Sequence, residues 1–492
     1  MAAAAASAVR PRGPGVAVRA RHAGVLLHPS SLPGPGPIGE MGPYAHAFLE
    51  WMTHAGLDTW QVLPLHPVGP GASPYGSPSA FAGDPRLISV EALVAEGLIE
   101  PAAIPWGQAS VDVDAVTAWK LPLIRAAAAR LAGTAELAAY RAEESSWLGD
   151  WSRYAARAHR FGHGDWWRWP DVEDATLADE IAVEEGMQCL FSRQWAALRD
   201  AARVRGIRIV GDVPIFVAHN AADVWAEPAL WHLDDAFQPD PVSGVPPDYF
   251  SPTGQRWGSP MYDWSAHAAS GFAWWRRRLA RELALVDAVR LDHFRGFVAA
   301  WAIPASEPDA RNGRWVHGPG GTLFAALQET LGGLPLWAED LGEITPDVEA
   351  LRDALGLPGM KILQFAFGRD GDHPFLPHNF SGPKWIAYTG THDNDTARGW
   401  YQSADEATCD RFRLYTGRDA TDPAWCLVRE AWASTAEMAI APMQDFLKLG
   451  SEARMNTPGV AAGNWGWRLR DLPWQSCTWI RQLGTSFGRS EA

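Results

Sequence analysis

Lysine is nearly missing from this chain of 492 residues: Lys120, Lys361, Lys384 and Lys448 are the only four, and arginine carries the remaining positive charge. The formal net charge is −15, and no basic cluster stands out, which argues against a nucleic-acid partner. Cysteine is equally scarce. Cys189, Cys409, Cys426 and Cys477 are widely spaced, with no CxxC pair. That pattern suits neither a disulfide framework nor a zinc site and fits a reducing compartment. No hydrophobic run approaches the ~18 uninterrupted apolar residues of a membrane helix, so no membrane partner is expected. The chain has no GxGxxG after a strand with its acidic partner, no GxxxxGK loop ending in Ser or Thr, and no GxSxG elbow. Nucleotide cofactors and serine-esterase chemistry are therefore without a motif. Acidic residues are absent before Glu40. The Ala-, Arg- and Pro-rich residues 1–22 are expected to form a disordered extension of a cytoplasmic protein, a plastid transit peptide being the alternative.

What is present is apolar and aromatic. Hydrophobic residues make up 47% of the chain and charged residues 20%, enough for a large core. The 27 Trp include many that simply fill that core, but an indole also stacks on the apolar face of a sugar ring. Short apolar runs, several of them ending in Gly, Pro, His or a carboxylate, read as buried parallel strands at residues 25–27, 60–63, 208–212, 288–292, 336–339, 361–365, 385–388 and 443–447. Helical patterns lie between most of them, as at residues 272–285 and 345–355. Alternation of this kind implies an α/β fold, a (β/α)8 TIM barrel spanning residues 23–492 as a single catalytic domain. Two stretches, about 68–180 and 218–270, are too long for simple crossovers. They are expected as subdomains inserted after strands 2 and 3, where a barrel builds its site. About 40 residues follow the last strand, so no C-terminal β-domain is expected.

Polar groups gather at the predicted strand ends: Asp212, Arg290 with Asp292 and His293, Glu339 with Asp340, and His392-Asp393-Asn394-Asp395. Residues two apart on a strand share a face, so Arg290 and Asp292 should both point inward, and the arginine favours an ionised Asp292. Cleavage of a glycosidic bond needs one ionised and one protonated carboxyl group. Asp292 suits the first role. Glu339, beside Trp337 and Ala338, suits the second, and Asp393 is a third candidate around the sugar. Each signal alone has a plainer explanation: a structural ion pair for Arg290–Asp292, a helix cap for Glu339-Asp340, a divalent metal site for residues 392–395.

At these residues the chain resembles the 4-α-glucanotransferases, the amylomaltases or disproportionating enzymes of glycoside hydrolase family 77. The resemblance runs from about Gly24 to Arg470 through HPSSLPGPGPIGEMG, WQVLPLHPVG, SPYGSPSAFAGDP, GDVPIFVAHNAADVW, GVPPDYFSPTGQRWGSPMYDW, VRLDHFRGF, WAEDLGEITPDV, YTGTHDNDT and SEARMNTPGVAAGNWGWR. It implies a retaining mechanism with Asp292 as nucleophile, Glu339 as acid/base and Asp393 as transition-state stabiliser. Asp212, Arg290, His293 and His392 would bracket the donor glucose and Tyr75 would stack on it. Tyr249, Phe250 and Trp257 would belong to a loop over the acceptor side. Asn464 and Trp465 match a further motif with no contact assigned, and Gly76 stands where a polar side chain is expected. No cofactor or metal is implied. The expected partners are α-1,4-glucans and malto-oligosaccharides, and the expected state is a monomer or weak homodimer. An α-amylase-like hydrolase and a catalytically silent glucan-binding protein are the competing classes, with a metal-dependent barrel enzyme third.

Overall fold

The computed structural model describes residues 21–101, 110–247, 251–368 and 371–491. Tyr249 and Phe250 lie outside them. In chain order the strands are β1 (His22–Leu26), β2 (Thr59–Gln61), β3 (Arg208–Pro214), β4 (Val242–Val245), β5 (Gln255–Pro260), β6 (Ala288–Asp292), β7 (Ala299–Ile303), β8 (Arg314–His317), β9 (Leu336–Ala338), β10 (Gly359–Ile362), β11 (Trp385–Tyr388) and β12 (Met438–Pro442). Eight of them make one parallel sheet in the order β10-β11-β12-β1-β2-β3-β6-β9. The ring draws shut between its ends, where the Ala338 amide donates to the Pro358 carbonyl at 3.0 Å. Asp340 strengthens that seam: its carboxylate accepts the Met360 amide at 2.7 Å and pairs with Arg352 at 2.5 Å. The fold is the expected (β/α)8 barrel.

These strands are buried on both faces because helices cover the outside and side chains fill the inside, so most read as apolar runs without a polar face. The period of two still sorts them. Met438 and Ile440 join Leu26, Val210, Met360, Ile362, Ile386 and Tyr388 in the barrel interior. Ala439, Ala441, Val25, Val289 and Leu291 belong to the outer layer under the helices. Leu291 is thus turned outward and Arg290 and Asp292 inward, as alternation requires.

Three expectations need correction. The eighth barrel strand is Met438–Pro442, five residues before the run at 443–447, and Met443–Phe446 is a helical turn. The sequence MAIAP is wholly buried and carries no polar landmark. The second correction concerns the inserts. The stretch at 68–180 is mainly helical, with Leu121–Ala129, Ala135–Glu143 and Leu148–Phe161 leading into the long helix Ala178–Val204. The stretch at 218–270, expected as an inserted subdomain without assigned strands, holds β4 and β5. They join β7 and β8, which follow β6 and were not foreseen, in an antiparallel sheet of order β5-β4-β7-β8. Two adjacent barrel strands therefore contribute inserts to one sheet. Third, the folded chain starts before residue 23: His22 opens β1 with its ring 2.6 Å from Asp58, and Arg21 donates to the carbonyls of Phe487 and Trp432 at 2.9 Å. All four cysteines are buried and free. No helix among the described residues is long and apolar enough to cross a membrane.

Candidate active site

Strand register performs the first assembly step. β3 and β6 pair with Asp212 beside Arg290, both side chains facing the barrel interior. Arg290 Nη1 donates to both carboxylate oxygens of Asp212 at 2.7 Å, while its Nη2 lies 2.8 Å from Asp292 Oδ1. One guanidinium thus bridges a fully buried carboxylate and one whose side chain is 29% exposed. Tyr75 comes in from the first insert. A one-turn helix, with Ser73 accepting the Tyr75 amide and Pro74 in its first turn, aims the ring inward. Its hydroxyl donates to Asp212 Oδ2 at 2.8 Å, and its face stacks on His392 at 5.0 Å and 15°. Burial, reinforced by Asp212, holds the phenol protonated.

β9 ends at Ala338, so Glu339 emerges at the mouth of the barrel. Its Oε2 accepts the His293 amide at 2.7 Å and its Oε1 the Leu341 amide at 3.1 Å. His293 reaches it from a left-handed backbone, φ 53°, an unusual state for a non-glycine residue. Burial pushes the Glu339 carboxyl up to about 8; Arg290 pulls it down and Asp292 pushes it further up. At neutral pH that favours the protonated form of Glu339. Its neighbour Asp340 faces the opposite way, into the seam with Arg352 and Met360, and has no access to the mouth.

Asp292 also lies above the ordinary carboxylate range, at about 6, because burial outweighs the pull of Arg290, with Asp212 and Asp393 adding repulsion. The sequence reading had only the arginine's effect. Asp292 and Glu339 influence one another, and the one that touches Arg290 is the one that ionises first. Asp393 is the most open of the three, with a side chain 44% exposed. Its charge is felt by both Asp292 and Tyr75, so the three carboxylates share one site. Asp395 is elsewhere, accepting from Ser451 Oγ at 2.6 Å, and Asn394 turns back to Thr391. Among the described residues no group of three or more His, Cys, Asp or Glu is spaced to hold a metal ion.

His392 is buried between Tyr75 and Trp465, whose rings lie 5.0 and 5.9 Å away. Trp257, on β5, is 41% exposed and meets the His293 ring edge-on at 4.9 Å. Burial and the neighbouring Arg295 drive His293 down to about 3, so its imidazole is neutral. The structure adds residues that motif reading did not assign. Tyr388 donates to Gln61 at 2.8 Å, joining the C-terminal ends of β11 and β2, close enough to Arg290 and Asp212 to feel both. Asn456 donates to Asp393 Oδ1 at 2.6 Å, and Trp465 leans on Tyr75 at 5.7 Å. Asn464 holds the intervening loop, accepting from the Thr457 amide and donating to the Val460 carbonyl. The string that carries Asn456 and Asn464 was visible, but polar loop residues give no period from which a partner can be deduced.

A parallel barrel with an arginine-bridged carboxylate, a protonated glutamate and a third acid at its C-terminal mouth defines the class: a barrel enzyme equipped for glycosidic bonds. The chain belongs to glycoside hydrolase family 77, whose profile, described as 4-alpha-glucanotransferase, matches residues 27–474. It is 47% identical to the 4-alpha-glucanotransferase of Thermus thermophilus over 470 residues, 91% of this chain and 94% of that one. It is 44% identical to the chloroplastic/amyloplastic 4-alpha-glucanotransferase of Arabidopsis thaliana, over 91% of this chain and 81% of that one. Among solved structures, the amylomaltase of Streptococcus agalactiae in complex with acarbose superposes with a TM-score of 0.91 at 34% identity, covering 96% of this chain and 100% of the other.

Proposed function

We propose that the 4-α-glucanotransferase activity of the family runs in this chain as a two-step retaining displacement on α-1,4-glucans. Asp292 attacks the anomeric carbon of the donor glucose while Glu339 protonates the departing 4-oxygen, releasing the reducing-end fragment. An acceptor 4-hydroxyl then gives its proton to Glu339 and takes the glucosyl group from Asp292. The observation that carries this reading is the contrast between the two strand-end acids. Asp292 touches a guanidinium, whereas Glu339 is buried with its carboxyl held protonated.

The remaining groups fit supporting roles. Asp212 and Tyr75 fix Arg290, and with it the attacking oxygen. Tyr75, backed by the His392 ring stacked on it, offers an aromatic surface of the kind a sugar face packs against. Asp393 supplies negative charge for the cationic sugar of the transition state. Trp257, and Tyr249 and Phe250 in the same stretch of chain, would hold the acceptor and keep water from the intermediate. An acceptor held in place competes with water through its effective concentration. The test is product analysis on maltotriose. The expected result is glucose plus a ladder of longer oligosaccharides with almost constant reducing ends. A proportional rise in reducing ends would identify a hydrolase instead.

A further inference from the structure

The third carboxylate is the least anchored by its own strand. Asp393 lies beyond the end of β11, in an irregular segment, with a side chain 44% exposed. A mobile carboxylate there would stabilise a developing positive charge poorly, because preorganisation is what gives such a group its effect. Its restraint comes from the segment that follows the neighbouring barrel strand, β12. Asn456 Nδ2 donates to Asp393 Oδ1 at 2.6 Å. Arg454 Nη2 donates to the Asp393 carbonyl at 2.6 Å, and Arg454 Nε to the Asn456 carbonyl at 2.8 Å. The Asn456 amide closes the set on the His392 carbonyl at 3.0 Å. Backbone and side chain of residues 392–393 are therefore both tied to residues 454–456.

We infer that Asn456 is the positioning residue for Asp393, a neutral donor that fixes the carboxylate without cancelling its charge. The choice of residue follows from the chemistry. A cation at 2.6 Å would neutralise the negative charge that the sugar cation needs. A cation is in fact available two residues away, but Arg454 is aimed at main-chain carbonyls and leaves the carboxylate to the amide. His392 Nε2 also lies 3.3 Å from the same Oδ1. This assignment rests on the role given to Asp393 above, and it names a residue that acts through another group.

The experiment compares wild-type protein with Asn456→Asp and Asn456→Ala on maltotriose, reading kcat, KM and melting temperature. Asn456→Asp keeps size and shape but replaces the donor by a repelling oxygen. It is expected to lower kcat about 10- to 100-fold, at least as much as Asn456→Ala, with KM within about threefold and the melting temperature unchanged. A merely structural asparagine would give the reverse order, with the isosteric variant the milder. Wild-type kcat in Asn456→Asp, or a loss that only follows a lowered melting temperature, overturns the assignment. If the alanine variant does not fold, the aspartate variant alone decides. The wild-type control separates the two levels. An inactive wild type sinks the transfer reading together with this one, whereas an active wild type with an equally active Asn456→Asp sinks this one alone.

Discussion

At the scale of single residues, environment assigns the work. Glu339 and Asp340 are chemically similar neighbours, yet alternation at a strand end sends one to the mouth of the barrel and the other into the seam between β9 and β10. Strand periodicity made that division legible in the sequence, but which of the two faced inward needed either the family resemblance or the coordinates. Asp292→Asn should lower kcat by about 10⁴-fold or more, because the amide cannot form the glucosyl ester, while maltotriose binding persists. Tryptophan fluorescence titration alongside turnover checks both, and near-normal turnover would remove Asp292 from its role. The pH dependence follows from the same pair. Asp292 must be ionised, so activity is lost as pH falls through its raised value of about 6. Glu339 must be protonated, so activity is lost as pH rises through about 8. A kcat/KM profile should be bell-shaped, its two limbs belonging to the coupled pair. A profile flat to pH 9 would contradict a protonated Glu339. Asn456 was hidden from sequence reasoning because its partner lies 63 positions away in an irregular segment.

At the scale of elements, the barrel strands were legible wherever a buried apolar run ended in a chemically distinctive residue. β3, β6 and β11 fall at or within two residues of their expected bounds, since Asp212, Asp292 and the His392 segment mark their ends. β12 was misplaced because MAIAP has no such marker. β4 and β7 were missed because VSGV and AAWAI are short, rich in Gly, Ser and Ala, and show no alternation. Their pairing is decided by neighbours brought close by the barrel, which no local window contains. The seam offers an element-level test. Asp340→Ala removes the acceptor of the Met360 amide and the buried partner of Arg352, leaving that buried guanidinium paired with the exposed Asp353. Breaking a buried pair typically costs about 3–5 kcal/mol. Urea unfolding should show that loss, while the protein that remains folded keeps most of its kcat. Glu339→Gln should do the opposite, losing turnover with little change in the unfolding midpoint. An Asp340→Ala variant as stable as wild type would mean the ring is held elsewhere.

At the scale of the whole molecule, the barrel supplies the acids and the inserts supply the walls. Tyr75 arrives from the helical insert, Trp257 from the antiparallel sheet, and Trp465 from the segment after β12, so three distant stretches of chain meet over one mouth. Trp257→Ala should leave bond cleavage largely intact and shift its outcome toward water. The expected reading is a several-fold higher ratio of new reducing ends to transfer products from maltotriose, and an unchanged ratio would take Trp257 out of the acceptor side. The sheet β5-β4-β7-β8 has a further consequence for engineering. Its strands depart from two neighbouring barrel strands, so neither insert is a self-contained cassette. Transplanting residues 242–260 into another scaffold without residues 299–317 would leave β4 with a bare hydrogen-bonding edge, open to the next chain in solution. Variation in this wall should therefore come in pairs, a lengthening in one insert answered by a matching change in the other.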